Sequence, residues 1–226
     1  MVLGDFNHDG IPDVATSSNQ LALGNGNGTF QPPTSLVADA PLAFNWIAAG
    51  DINNDGWTDI LAATVGAYTY VYLNDREGGF TQSDLANAKN DPAAVLLADL
   101  NMDGNLDAVV TSGGAIAAVF LGDGEGGFTQ SGNNLYFPFV DQLPAQVGDL
   151  NGDGIPDILL PADGMVSIAL GKGNGTFLTP FTVGVGAGEG QILMQNLHGQ
   201  TPKAGLPDLI APDSGGGITV LINLTK

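Results

Sequence analysis

Short apolar stretches alternate along the whole chain with polar segments that are rich in glycine and acidic residues. One set of these stretches begins at an aspartate and reads DVAT, DILAAT, DAVVTS, DILLPA and DLIAPD. A second set precedes glycine-rich turns and reads YTYVYL, IAAVFL, VSIAL and ITVLI. None of them shows the 3.6-residue period of an amphipathic helix, and their length and composition are typical of strands. The pattern therefore predicts an all-β protein built from many short strands.

Two polar segments recur in phase with these strands. The acidic one reads DFNHDGIPD from residue 5, DINNDGWTD from 51, DLNMDGNLD from 99 and DLNGDGIPD from 149, with a degenerate copy, NLHGQTPKAGLPD, from 196. A glycine turn follows each of the first four copies: LGNGNGTF at 23–30, LNDREGGF at 73–80, LGDGEGGF at 121–128 and LGKGNGTF at 170–177. Self-similarity at a period of roughly 47 residues indicates a repeat architecture.

Each repeat predicts four antiparallel strands: one before the acidic segment, one after it, and one on each side of the glycine turn. Such a unit is a blade of a β-propeller. We expect a single propeller domain over 1–226, as a closed five-bladed ring or part of a larger one. Its repeats lie at approximately 1–45, 46–93, 94–143, 144–189 and 190–226. The phenylalanines that end the glycine turns are expected in the core: Phe30, Phe80, Phe128 and Phe177.

The two ends of the chain carry expectations of their own. The fifth repeat stops after its third strand, and an incomplete blade leaves an edge that can pair with a second copy. The chain enters its first strand with no visible signal peptide. Three origins therefore remain as alternatives: a natural chain, an excerpt from a longer protein and an engineered sequence.

Charge narrows the possible partners. The chain has 24 Asp and Glu against 5 Lys and Arg, a formal net charge of -19. Such a surface repels nucleic acid and anionic lipid, and no apolar run is long enough to insert into a membrane. There is no cysteine, which excludes disulfides and thiolate metal sites.

The acidic segment and the glycine turn together resemble the FG-GAP/VCBS repeat family, the integrin-alpha-like β-propellers. The resemblance extends over essentially the whole chain. It implies a propeller fold in which the loop between the first and second strands of a blade binds calcium. Related propellers act in adhesion, and some similar fungal ones bind sugars.

The residues of the acidic segment also fit calcium on chemical grounds, because Ca²⁺ takes six to eight oxygen ligands. Alternate side chains of a tight loop can face one ion, with the carbonyl of the seventh residue and an aspartate at the ninth. An EF-hand closes with a glutamate on a helix, whereas here a strand follows and the closing carboxylate comes earlier. The predicted ligands of about four ions are Asp5, Asn7, Asp9, Ile11, Asp13; Asp51, Asn53, Asp55, Trp57, Asp59; Asp99, Asn101, Asp103, Asn105, Asp107; and Asp149, Asn151, Asp153, Ile155, Asp157.

The alternative to calcium is a set of metal-free Asx turns that cap the strands. Three carboxylates in each loop favour a counter-ion, and four ions would explain much of the charge. The fifth copy keeps only Asp208 of the ligand set, so we expect no calcium there. Lys203 is either an ordinary surface lysine or a cation that pairs with Asp208 in place of the ion.

The predicted function is non-enzymatic recognition of a protein or glycan by a calcium-stabilised propeller. The two histidines and the Asp213-Ser214 turn offer no convincing catalytic set. Weak calcium sites fill outside the cytosol, which favours an extracellular, periplasmic or cell-surface setting. Trp57 is the candidate ligand contact, and its alternative role is packing against a neighbouring blade. The competing functions are a purely structural repeat segment and a propeller domain of a secreted hydrolase.

Overall fold

The computed structural model describes residues 1–38, 43–64, 68–85, 91–113, 116–132, 134–137, 145–162, 165–184, 193–195, 207–212 and 218–221. These segments form twenty β-strands in five sheets, and no helix occurs within them. The first two sheets contain β1 Val2–Gly4, β2 Asp13–Thr16, β3 Gln20–Ala22, β4 Thr34–Ser35; and β5 Phe44–Gly50, β6 Asp59–Thr64, β7 Thr69–Asn74, β8 Phe80–Asp84. The third contains β9 Pro92–Ala98, β10 Asp107–Ser112, β11 Ile116–Gly122, β12 Phe128–Gln130, β13 Leu135–Tyr136. The last two contain β14 Gln146–Gly148, β15 Asp157–Ala162, β16 Met165–Ala169, β17 Phe181–Gly184; and β18 Leu193–Gln195, β19 Asp208–Pro212, β20 Ile218–Leu221.

Each sheet is an antiparallel meander in sequence order, which confirms the prediction of four-stranded units for the first, second and fourth repeats. The fifth sheet has three strands in the described residues. In the first four repeats the residue before the acidic segment pairs with the aspartate that closes it, as in Gly4 with Asp13 and Gly148 with Asp157. Each acidic segment is therefore the connection of a tight hairpin.

The third sheet departs from the four-stranded prediction because its outer strand is split. Strand β12 pairs with the end of β11 at 120–122, and β13 pairs with the start of β11 at 116–117. Gly132, at a φ of 63°, lies in the interruption between them. Both short strands occupy the outer position of one blade.

The hydrophobic core lies between the sheets, in four clusters that each join neighbours in the chain. All six residues of β6 are buried, since its sheet has a neighbour on both sides. The clusters include Phe6, Phe44, Tyr72 between the first and second sheets; Ile52, Val95, Phe120 between the second and third; Leu100, Ile158, Phe177 between the third and fourth; and Leu150, Leu159, Leu209 between the fourth and fifth.

First strands of successive repeats face a common cavity of about 320 Å³, as blades do round a propeller axis. Its lining comes from Val2, from 46–49 and 95–97, and from Ala145. A closed ring of five blades is not shown by the described residues and stays a prediction.

The expectation that every turn phenylalanine is in the core is wrong for the first repeat. Phe177 is buried and Phe80 and Phe128 are half-buried, but Phe30 is 47% exposed. Phe80 packs edge-on against Phe6 of the preceding repeat, with ring centroids 6.4 Å apart. Phe30 belongs to the first repeat, and in the described chain no earlier loop covers it.

Candidate calcium loops

The four acidic loops (5–13, 51–59, 99–107 and 149–157, with positions numbered one to nine) fold round their own side chains. In the first loop the Gly10 amide donates to Asp5 Oδ2 at 2.8 Å. The Asp9 amide donates to Asn7 Oδ1 at 3.1 Å, and the Ile11 amide donates to Asp9 Oδ1 at 2.8 Å. Asn7 Nδ2 donates to Asp9 Oδ2 at 2.9 Å. The same four bonds recur in the other loops at 2.8–3.2 Å, so positions one, three and five are drawn together as predicted.

Two positions in each loop adopt left-handed backbone conformations. At position six the glycines have φ of 80–92°, and nothing lies within 4 Å of where a Cβ would stand. Glycine is therefore required there by conformation alone. Position four is left-handed as well, in His8, Asn54, Met102 and Gly152. The residue types at position four indicate this only weakly, because methionine is uncommon in that conformation.

The closing aspartate at position nine is tied to the backbone of two strand connections. Asp157, which is 0% exposed, accepts the Leu150 amide on Oδ2 and the Gly171 amide on Oδ1, both at 2.8 Å. One carboxylate thus joins the acidic loop to the glycine turn of the same blade. Equivalent pairs of bonds, at 2.8–2.9 Å, are made by Asp13, Asp59 and Asp107. The sequence pattern does not predict this role, because it indicates the closing aspartate only as a calcium ligand.

Burial raises the pKa of Asp59, Asp107 and Asp157 above the usual value of an aspartate, although hydrogen bonds from backbone N–H groups act on each in the opposite direction. Negative charges of nearby loop carboxylates add to the rise. Because the pKa is higher in the folded state than in the unfolded state, ionisation of these aspartates lowers the stability of the fold as pH rises through that pKa. A bound cation would reverse that effect.

The donor set of these loops fits a hard cation. Each carboxylate oxygen in the first loop accepts a single described hydrogen bond, and a carboxylate offers about four lone-pair sites in all. Lone pairs therefore remain for an ion, and all the predicted donors are oxygens, which calcium prefers. Within the described ranges, no three His, Cys, Asp or Glu side chains are grouped closely enough to form a metal site by themselves. An ion would have to draw the closing aspartate and the loop carboxylates together.

The second loop differs because an arginine lies against it. Arg76 Nη2 is 2.8 Å from Asp55 Oδ2, and the two side chains form an ion pair. Burial acts to raise the pKa of Asp55, but the hydrogen bonds and charge of Arg76, with bonds from Trp57 and Asn53, hold it below its ordinary value. Arg76 has a φ of 63° and stands where the other glycine turns have Gly26, Gly124 and Gly173.

Neighbouring loops touch one another through positions four and seven. His8 of the first loop stacks on Trp57 of the second, with ring centroids 4.8 Å apart and planes at 23°. Asn54 of the second loop donates to Asn105 Oδ1 of the third at 2.8 Å. Met102 of the third loop and Ile155 of the fourth both reach within 3.4 Å of where a Gly173 Cβ would stand. The four loops therefore lie side by side on one face of the molecule.

The predicted contact residue Trp57 is half-buried, and its ring is partly covered by the exposed His8 of the preceding repeat. Packing against a neighbouring blade, the alternative role, is therefore observed, while ligand binding by Trp57 stays a prediction. The degenerate loop with Lys203, and the Asp213-Ser214 turn, lie outside the described residues. Asp208 is buried at the start of β19.

A protein-family model described as the FG-GAP-like repeat matches the chain in four overlapping segments, 5–62, 51–110, 99–160 and 149–193. The chain belongs to the FG-GAP-like repeat family. Each matched segment runs from one acidic loop to beyond the next, or into the fifth repeat. The family resemblance inferred from the acidic loops and glycine turns is thereby confirmed. No curated protein sequence matches this FG-GAP-like chain.

Solved structures similar to the chain include propellers that bind quite different partners. An Agrocybe aegerita lectin that recognises non-reducing terminal N-acetylglucosamine is 21% identical, with a TM-score of 0.63 over 99% of this chain and 66% of the lectin. BBS1N in complex with ARL6DN is 14% identical, with a TM-score of 0.62 over 96% of this chain and 62% of that one. The chain spans less than two thirds of either structure, and identities this low show the fold alone. No helix in the described residues is long and apolar enough to cross a membrane.

Proposed function

We propose that the chain is a non-enzymatic recognition module whose acidic loops bind Ca²⁺, one ion in each of the four intact loops. The observation that supports this most directly is the repeated loop geometry. Four loops hold the same hydrogen-bonded frame of oxygen donors on one face, and one of them has a cationic partner among the described residues. The carboxylates at positions one and five of these loops keep lone pairs that a hard cation could share.

Calcium in these loops would serve the fold first. Each loop joins the first and second strands of its sheet, and its closing aspartate reaches the turn after the third. With a Kd of ~10 µM and free calcium of ~1 mM, each site would add roughly 2.7 kcal/mol to the folded state. Several such sites rival the whole stability of a typical domain, about 5–15 kcal/mol. Because weak sites need abundant calcium, we place the protein outside the cell, in the periplasm or at the cell surface.

Recognition is proposed because propellers of this fold present loops and clefts to large partners. The similar structures include one that recognises a sugar and one in complex with a protein. A glycan or protein ligand is therefore the expected partner. A second copy of the chain, paired with the edge of the fifth sheet, is a further expected partner.

The test is calcium titration of EDTA-treated protein by calorimetry, with thermal unfolding in calcium and in EDTA. We expect up to four sites and a rise in melting temperature of tens of degrees, with a much smaller response to Mg²⁺ because it keeps its waters. The variant Asp153→Ala should lose one site, whereas Asp75→Ala, in a glycine turn, should lose none. Absence of both calcium binding and a melting shift would contradict the proposal.

A further inference from the structure

A cleft of about 390 Å³ lies between the third and fourth repeats. One wall is the interruption in the outer strand of the third sheet, residues 131, 132 and 134–136, and the other is the end of the next glycine turn, residues 175–180. A Cβ on Gly132 would stand 3.9 Å from Thr176 Cγ2, so the two walls meet there. The volume is near the lower end of the range in which proteins hold small ligands, about 300–1,000 Å³.

The cleft lies where the outer strand of the third sheet is interrupted. In the second sheet the outer strand is continuous over Phe80–Asp84, whereas in the third it stops at Gln130 and resumes at Leu135. Gln130 Nε2 donates to Asn134 Oδ1 at 2.8 Å, and the Ser131 amide donates to the Val119 carbonyl at 2.8 Å. Hydrogen bonds therefore hold the residues on each side of the interruption. The outer strands of the first and fourth sheets are interrupted in a similar way, after Phe30 and after Phe177.

Charge sets this cleft apart from the rest of the molecule. The chain carries a formal net charge of -19, yet the lining residues that the structure describes include no Asp, Glu, Lys or Arg. Its polar groups are neutral hydroxyls and amides. Such a lining suits an uncharged ligand and offers nothing to attract a cation or an anion.

Several of these groups are free to bind. Within the described ranges, Ser131 Oγ, Asn134 Nδ2 and Thr179 Oγ1 have no hydrogen-bond partner in the protein. Tyr136 stands at the rim with 67% of its surface exposed. An exposed aromatic ring beside neutral hydrogen-bonding groups matches a sugar, which has apolar C–H faces and a rim of hydroxyls.

We propose that this cleft binds a terminal, uncharged pyranose residue of a glycan, with Tyr136 against the ring and Asn134, Ser131 and Thr179 bonded to its hydroxyls. The inference rests on the proposed recognition function and gives it a site and a ligand class. It does not require calcium to touch the ligand, because the cleft lining shares no residue with the acidic loops.

The experiment is saturation-transfer NMR and calorimetry on the calcium-loaded chain with four neutral probes, the methyl glycosides of glucose, galactose, mannose and N-acetylglucosamine. The methyl glycoside of glucuronic acid is the charged comparison. Tyr136→Ala and Asn134→Ala test the cleft, and Tyr68→Ala is the matched control, since Tyr68 is an exposed tyrosine on the second repeat. Circular dichroism and melting confirm that each variant is folded.

We expect at least one neutral glycoside to bind, and about tenfold weaker binding for Tyr136→Ala, about fivefold for Asn134→Ala and no change for Tyr68→Ala. Binding that both cleft variants retain would overturn the cleft while leaving recognition in place. A folded, calcium-loaded chain that binds none of the four glycosides would also overturn the cleft, and the proposed function would then depend on protein partners. Loss of calcium binding itself would count against the proposed function instead.

Discussion

At the residue scale, one side chain makes the second acidic loop unlike the other three. Arg76 takes the place of a glycine, adopts a left-handed conformation and contacts a predicted calcium ligand. A long side chain accepts such a conformation only when surrounding contacts hold it. The guanidinium of Arg76 therefore places a second positive charge beside Asp55, next to the position predicted for the calcium ion.

Replacing Arg76 with glycine should strengthen calcium binding at the second loop. Removing one partly exposed competing charge is worth up to about 1 kcal/mol, so we expect up to about fivefold tighter binding at one site. Calorimetry on the wild type and on Arg76→Gly measures it. Lys172→Gly, a loss of charge in the fourth glycine turn, is the control. If the two variants bind calcium alike, Arg76 does not compete with the ion.

Tyr72 yields a second prediction at this scale, since its ring is fully buried and its hydroxyl has no hydrogen-bond partner among the described residues. Burial, with a contribution from Tyr70, raises its pKa to about 12. Because the folded-state pKa is raised, the stability from the neutral phenol is present below about pH 10 and is lost as pH rises towards 12.

At pH 7 the free energy of unfolding of Tyr72→Phe should therefore be about 1 kcal/mol higher than that of the wild type, since the substitution removes an unpaired buried hydroxyl. The variant should unfold at a higher urea concentration. The stability of the variant should also fall less than that of the wild type as pH rises, because the contribution of Tyr72 to the alkaline destabilisation is gone. Urea unfolding at pH 7 and from pH 9 to 11 measures both effects. Tyr136→Phe, at a position that is 67% exposed, should change neither. Equal alkaline sensitivity in wild type and Tyr72→Phe would refute the assignment.

At the scale of the element, the closing aspartate links three strands of a blade without any metal. Asp157 accepts amides from the acidic loop and from the glycine turn, and it starts β15. Asp153, by contrast, is exposed and bonds only within its own loop. The two carboxylates of one predicted site thus have separable roles.

Asp157→Ala should lower stability by about 2–4 kcal/mol even in EDTA, because it leaves two backbone amides unpaired. Asp153→Ala should change stability in EDTA little and abolish the gain that calcium brings to that blade. Urea unfolding of both variants, with and without calcium, separates these effects. A neutral Asp157→Ala in EDTA would show that the closing aspartate acts only through the ion.

At the scale of the molecule, each sheet is stabilised by the sheets beside it. The clusters join first to second, second to third, third to fourth and fourth to fifth sheets, as in other repeat proteins. Phe30 of the first repeat is 47% exposed, whereas the matching Phe177 of the fourth is buried. Inner sheets should thus be held more firmly than the first.

Hydrogen exchange followed by mass spectrometry should show this gradient. We expect the slowest exchange in β6 and β10, which are buried throughout or nearly so, and faster exchange in β1 and β3. Calcium should slow exchange in all four intact loops. Equal protection in the first and second sheets would instead indicate that the ring is closed and that Phe30 is covered in solution.

Much of this architecture could be predicted from the sequence, because its signals are local. Alternating apolar stretches predicted the strands, and the phase of the acidic segments gave the hairpin loops. Other features depend on what lies opposite in space. The Arg76–Asp55 pair, the two bonds of Asp157 and the split outer strand before Tyr136 require that distant residues meet, and no local pattern encodes that.

The contacts between neighbouring loops have a consequence for assembly. A ring stack joins His8 to Trp57, a hydrogen bond joins Asn54 to Asn105, and Met102 of the third loop approaches Gly173 of the fourth repeat. Exchanging the second and third repeats would place an imidazole against an amide, so each junction favours its own partner. Near-identical units thus carry different junctions, which favour the native order of the repeats as the protein folds.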